Sequence, residues 1–265
     1  MGRGGYATAA FWTEWFNEEE HLAPYDWLVS WEDVGDCVEA LLEWKHDARV
    51  LMVGAGNSPF SSEMYARGYR KIVNVDNCET VVESQRLRYP MLEWLVADVR
   101  QMPFDNDSFD VVIDKGCLDN LFCYVEPQNA VEAYVAEVRR LLTPRRGKFL
   151  VVSCHDALAV TEALANAHWR FAIVDLPNPR WPTINIQTYQ LALCEKKTTP
   201  NSGENNNSDH DESLSRALTD AKARLSSGEN TTPPADSRLP RRLRHLEDRA
   251  SGRRHSSLIL ESSPS

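Results

Sequence analysis

The sequence predicts a doubly wound α/β fold: a seven-stranded, mostly parallel sheet with helices on both faces. Three observations carry this expectation. Apolar, β-branched runs alternate with helical patterns from residue 49 to residue 175. The first run, Arg49 to Val53, leads straight into Gly54-Ala55-Gly56. The last, Ile186 to Cys194, follows its predecessor across Pro177, Pro179 and Pro182 with no helix between, so it returns antiparallel.

In chain order, residues 1–28 are unusually aromatic, with Phe11, Trp12, Trp15, Phe16, Tyr25 and Trp27 set among Glu14, Glu18, Glu19 and Glu20. This predicts a helix and a turn at Pro24-Tyr25-Asp26, laid over the core as a lid. Ser30 caps a helix whose Val34, Cys37, Val38, Leu41 and Leu42 recur at helical spacing. The predicted alternation is then strand 49–53, helix 59–67 closed by Gly68, strand 71–75, helix 78–88, strand 92–97, strand 109–113, helix 128–142, strand 147–153, helix 156–167, strand 169–175 and the returning strand 186–194. Domains are expected at 1–28 (lid), 29–197 (catalytic) and 198–265 (tail).

Beyond Lys197 no Phe, Tyr or Trp occurs, and Ser, Asn, Arg and Pro dominate. The tail 198–265 is therefore expected to be disordered. Two pieces of it carry some pattern: Leu214, Leu218, Ala221 and Leu225 at helical spacing, and the basic run Arg238 to Arg254. A solvated linker is the preferred reading of both.

The formal charge is −10, and the tail holds ten basic and ten acidic residues, so the whole excess lies on residues 1–197. An acidic body disfavours duplex nucleic acid as the main partner and suits a cationic substrate. Six cysteines at 37, 78, 117, 123, 154 and 194 show no Cys-x-x-Cys pairing. Reduced thiols in a cytoplasmic protein, with no metal site, are expected. No apolar run approaches the ~20 residues of a membrane span, and no secretory pattern opens the chain.

The glycine turn is the chemical centre. Gly54 and Gly56 let backbone approach a ligand, and Ser58-Pro59 opens a helix whose free N–H groups face the same place. Asp76 ends the second strand 22 positions after Gly54, where an acid accepts ribose hydroxyls. Two cofactors compete, a dinucleotide and S-adenosylmethionine. The dinucleotide fingerprint wants a third glycine where this chain has Pro59, whereas Asp98 at the next strand end is placed to accept the exocyclic amine of adenine. The fourth strand ends on Asp114-Lys115-Gly116-Cys117-Leu118-Asp119, whose charges face the reacting group; Asp119 serves equally as a helix cap.

These residues resemble the seven-strand, class I lysine methyltransferases that act on translation elongation factor 1-alpha. The resemblance covers roughly residues 10–195 and none of the tail. It rests on Phe11-Trp12 and Phe16, Pro24-Tyr25-Asp26-Trp27-Leu28, Val53-Gly54-Ala55-Gly56-Asn57-Ser58, Asp98-Val99-Arg100, and Ser108 to Asp119. It implies S-adenosylmethionine as cofactor, with Trp12, Phe16 and Trp27 closing over it and Gly54 and Gly56 against its methionine part. Asp76 and Asn77 would hold the ribose, Asp98 and Val99 the adenine, and Lys115 the methionine edge. The family usually has tyrosine where this chain has Phe16, and cysteine where it has Ala55. One neutral hydrogen bond is worth only ~1 kcal/mol, so neither change should abolish binding.

The implied function is transfer of a methyl group to a protein lysine, with elongation factor 1-alpha as the partner. Asp114 and Asp119 are the candidate acidic rim that draws and deprotonates the ammonium. Trp181 and Tyr189 are candidates to flank the lysine channel, with core packing the safer assignment. The alternatives are a small-molecule methyltransferase and an inactive, cofactor-binding partner subunit.

Overall fold

A computed structural model describes residues 8–144, 147–165, 169–179, 186–196 and 207–227. Its centre is one seven-stranded sheet built from β1 (Arg49–Val53), β2 (Lys71–Asp76), β3 (Glu93–Val96), β4 (Val111–Lys115), β5 (Lys148–Ser153), β6 (Trp169–Pro177) and β7 (Thr188–Lys196). The strand order is β3-β2-β1-β4-β5-β7-β6. β7 runs antiparallel to both β5 and β6, inserted between them, and the other neighbouring strands are parallel.

The strands are apolar because both faces are covered. Along β1, Val50 and Met52 point into one core and Leu51 and Val53 into the other, the period of two that a strand imposes. The first core is roofed by α1 (Ala9–Phe16), α2 (Trp31–Leu41), α3 (Phe60–Ala66) and α4 (Glu79–Arg88). The second lies under α5 (Cys117–Leu121), α6 (Pro127–Leu141) and α7 (Ala157–Leu164). α2 starts with a capping box, the Ser30 hydroxyl accepting from Asp33 N while the Asp33 carboxylate accepts from Ser30 N. α3 begins one residue later than expected, yet the Ser58 hydroxyl still accepts from Phe60 N at 3.2 Å.

β4 differs from its sequence expectation. It begins at Val111 and runs on through Asp114 and Lys115, because pairing with Val151 and Val152 of β5 continues to that point. The shift carries both charged residues into the strand. The segment 198–265 also differs from the disorder its composition predicts, over 207–227. There α8 (Asn207–Ser227) lies on α2 and β6, with Leu214, Leu218 and Ala221 buried in the first core. The basic run 238–254 lies outside the described residues, as does Trp181. Tyr189 is buried in the core. Among the described residues no helix is long and apolar enough to cross a membrane.

Candidate active site

The carboxyl ends of the parallel strands open into a cavity of about 360 Å³, the place where ligands bind in such sheets. The glycine loop forms its floor. Gly54 and Gly56 sit at φ +57° and +53°, and a Cβ on Gly54 would stand 2.7 Å from the Cys117 Cβ, so only glycine fits beneath α5. Asp76 holds this loop: its Oδ2 accepts from Gly56 N at 2.9 Å and its Oδ1 from Cys78 N at 3.0 Å. Burial pushes the Asp76 carboxyl above its ordinary range, against the lowering by its N–H donors.

Asp98 lines the same cavity beside Val99. Its carboxylate takes the fork of Arg100, with Nη2 2.6 Å from Oδ2 and Nε 2.9 Å from Oδ1, and Arg100 holds it below the usual carboxylate range. The same guanidinium lies 5.0 Å from the Tyr124 ring centre. Asn77 is at the exposed lip.

The aromatic segment closes the opposite wall. Trp12 stacks on Phe16 at 5.9 Å between ring centres and meets Trp27 edge-on at 5.6 Å, and all three line the cavity. The wall is clasped to the glycine loop by main chain and side chain alike. Asn57 Nδ2 donates to the carbonyls of His21 and Ala23, Tyr25 N donates to Asn57 O, and the Ser58 hydroxyl donates to Asp26 Oδ1 at 2.5 Å. Lys115 then pairs with the same Asp26 oxygen at 2.8 Å, both side chains being more than nine-tenths buried.

The two candidate rim acids part company. Asp114 is fully buried and does not line the cavity, which corrects its assignment to the rim. It caps α5 from below, accepting from Cys117 N at 2.8 Å, Leu118 N at 3.0 Å and the Tyr134 hydroxyl at 2.6 Å. Burial pushes it up to about 7 even against those donors. Asp119 does line the cavity. Its Oδ1 accepts from the Ser153 hydroxyl at 2.8 Å and from Cys154 N at 3.0 Å, so it is tied to the end of β5 and is not a helix cap. Its Oδ2 is buried with no partner among the described residues.

Sequence reasoning missed several residues of the remaining wall, among them Leu28, Cys117, Asn120, Tyr124, Cys154 and His155. His155 was within reach of the strand-edge rule that found Asp76 and Asp98, since it stands two residues beyond the end of β5. Tyr124 arrives through the turn after α5, which carries no pattern of its own.

The cavity suits a nucleoside carrying a thioether or sulfonium arm. Acids stand at two adjacent strand ends for hydroxyls and an exocyclic amine, Val99 and the aromatic wall supply apolar contact, and the floor admits no side chain at Gly54. S-adenosylmethionine supplies an activated methyl group when bound there.

Known proteins agree. Residues 51–151 match the family model described as a methyltransferase domain. The chain is 31% identical over 180 residues to EEF1A lysine methyltransferase 4 of Bos taurus, covering 64% of this chain and 69% of that one. It is 30% identical over 167 residues to the human eEF1A lysine and N-terminal methyltransferase, covering 61% of this chain and 23% of that protein, so it spans under a quarter of this longer relative. Among solved structures, a Burkholderia thailandensis 1,6-didemethyltoxoflavin N1-methyltransferase holding S-adenosylhomocysteine superposes with a TM-score of 0.51 at 18% identity, covering 72% of this chain and 87% of that one. That likeness concerns the fold alone. With the strand order and reversed β7 it places the architecture, and the curated relatives place the lineage: the chain belongs to the class I, S-adenosylmethionine-dependent methyltransferases, in the family that includes EEF1A lysine methyltransferase 4.

Proposed function

We propose that the protein is a protein-lysine N-methyltransferase whose substrate is translation elongation factor 1-alpha. The observation that carries the reading is Asp119 Oδ2, a buried carboxylate oxygen without a partner among the described residues, on the β4–β5 side of the cavity. A buried, unsatisfied acceptor is costly, and an ammonium donor satisfies it. The names of the two relatives above point to the same acceptor. A neutral hydroxyl or aromatic carbon would leave the charge uncompensated.

In this reading Trp12, Phe16 and Trp27 close over the cofactor, and Gly54 and Gly56 lie against its methionine part. Asp76 and Asn77 take the ribose, and Asp98 and Val99 the adenine. Lys115 stands at the methionine edge, where its pairing with Asp26 joins lid closure to cofactor binding. Catalysis then consists of aligning the amine in line with the methyl group, excluding water and removing a proton.

The test is incubation of the full chain with S-adenosylmethionine and purified elongation factor 1-alpha, followed by peptide mass spectrometry. A mass increment on lysine, absent with Asp119→Asn, is the expected result. Cofactor binding without transfer to any lysine of that protein would overturn the substrate assignment.

A further inference from the structure

We propose that His155 takes the proton from the acceptor nitrogen while Asp119 holds that nitrogen beside it. The inference rests on the amine-acceptor reading above and adds the group that makes the amine nucleophilic.

Both residues line the same end of the cavity. His155 Nε2 lies 3.8 Å from Asp119 Oδ1, and the imidazole packs against the Phe122 ring at 4.5 Å between centres. One hydroxyl ties the pair together: Ser153 Oγ donates to Asp119 Oδ1 at 2.8 Å and accepts from His155 N at 3.1 Å. With Oδ1 so occupied, Oδ2 is left for a ligand. The His155 side chain is 39% exposed, which gives a proton a route to water.

The other titratable groups of this wall are unsuited to the task. Burial pushes the Cys154 thiol up to about 12 and the Cys117 thiol well above its ordinary value, and it raises the Tyr124 hydroxyl too. Cys123 turns its Sγ to the Asp119 carbonyl at 3.6 Å. Lys115 is a cation paired with Asp26, and Asp114 is sealed beneath α5. Asp76 and Asp98 stand at the other end, engaged by backbone amides and by Arg100. Asp156, next to His155 in its loop, caps α7 through Ala159 N.

The chemistry balances. An alkylammonium of ordinary pKa ~10.4 arrives protonated at neutral pH. It donates to Asp119 Oδ2 and gives one proton to an unprotonated ring nitrogen that His155 offers. The freed lone pair bonds to the methyl carbon as the carbon–sulfur pair withdraws onto sulfur. The positive charge moves from sulfur to the methylated nitrogen, and His155 returns its proton to water.

The deciding experiment is calorimetry on the full chain with S-adenosylhomocysteine and with sinefungin, which carries a primary amine where the methylated sulfonium stands. Wild type, Asp119→Asn and His155→Gln are compared in mildly acidic and in mildly basic buffer. S-adenosylhomocysteine binding unchanged in all three shows that fold and cofactor site are intact. Preference for sinefungin should fall about tenfold in Asp119→Asn, the worth of one charge-assisted hydrogen bond. In wild type that preference should grow from the lower to the higher pH, and His155→Gln should flatten it. In a parallel rate series on elongation factor 1-alpha, His155→Gln should lower transfer on the order of a hundredfold at neutral pH and converge on wild type above the amine's pKa of ~10.4. A sinefungin preference with the wild-type pH slope in His155→Gln overturns the proposal. Failure of wild type to methylate elongation factor 1-alpha overturns the substrate reading alone, and the sinefungin arm still decides the role of His155.

Discussion

The two halves of the sheet's carboxyl edge are built on opposite plans. On the β1–β3 side the acids are already engaged: Asp76 by the amides of Gly56 and Cys78, Asp98 by the Arg100 fork. On the β4–β5 side one acid, Asp114, is closed into a buried network, and the other, Asp119, keeps an oxygen without a partner among the described residues. In the proposed reading the first half is a preorganised receptor for the cofactor's nucleoside, whose hydroxyls and amine would share acceptors already in place, and the second would receive a cation. That reading separates cofactor binding from acceptor choice on the same edge.

The halves touch where Gly54 lies under Cys117, and breaking that contact should have the largest effect. Gly54→Ala places a methyl 2.7 Å from the Cys117 Cβ at φ +57°, whereas Gly56→Ala meets nothing within 4 Å at φ +53°. The first should cost about 3 kcal/mol or more, from overpacking plus left-handed strain, and the second only ~1 kcal/mol from strain. Thermal melts compare the stabilities, and calorimetry should show S-adenosylmethionine binding lost in Gly54→Ala. Equal losses of stability would mean that α5 does not set the loop.

Next in size is the clasp between lid and edge. Asp26→Ala removes the counter-charge of a Lys115 whose side chain is only 6% exposed, and should cost about 3–5 kcal/mol. Asp26→Ala combined with Lys115→Met should recover part of that, since both charges of the pair are then gone. Denaturant titration of the single and double variants gives the coupling.

The contrast between Asp114 and Asp119 sharpens with pH. Asp114 titrates at about 7 in the folded chain against ~3.9 when unfolded, so between those values the native state binds the extra proton. Its contribution to stability is therefore greatest in acid and is lost as pH rises from about 4 to about 7. Glu39 and Glu63, also pushed up to about 7 by burial, add slopes of the same sign. Asp114→Asn should make the curve shallower, and Tyr134→Phe should steepen it by removing a donor to the carboxylate. Asp119→Asn should make it only slightly shallower, by removing a nearby charge that helps raise the Asp114 carboxyl. Urea titrations across that range read all three.

The smallest effect expected is at the receptor's rim. Arg100→Ala breaks a half-exposed ion pair worth at most about 1 kcal/mol, so S-adenosylmethionine affinity should change by less than about tenfold. A larger loss would show that the fork fixes Asp98 for the adenine amine.

The β1–β3 side of the cavity was legible in the sequence and the β4–β5 side was not. Gly54, Asp76 and Asp98 each follow an apolar run directly, and the run itself fixes which end of the strand they occupy. Asp114 and Asp119 belong to one motif, and nothing within it says that the first is drawn into the sheet. That follows from β4 pairing two residues further along β5 and from Tyr134, twenty positions away on α6, reaching back to it. His155 lay beyond a correctly placed strand, but the role proposed for it rests on Ser153 bridging it to Asp119, a contact between residues 34 apart. The helix over 214–225 was visible as a spacing, while its docking on α2 and β6 was not.

The sequence by itself determined the alternation of strand and helix, the returning last strand, and the acids at the β2 and β3 ends, because strand period, glycine turns and strand-end position are local properties. Tertiary structure alone decided that β7 inserts between β5 and β6, that α8 covers the first core, that Asp114 is buried, and that Asp26 joins Ser58 and Lys115 across 32 and 89 positions of chain. Those outcomes depend on register and on pairs far apart in sequence, whose closeness no local pattern encodes.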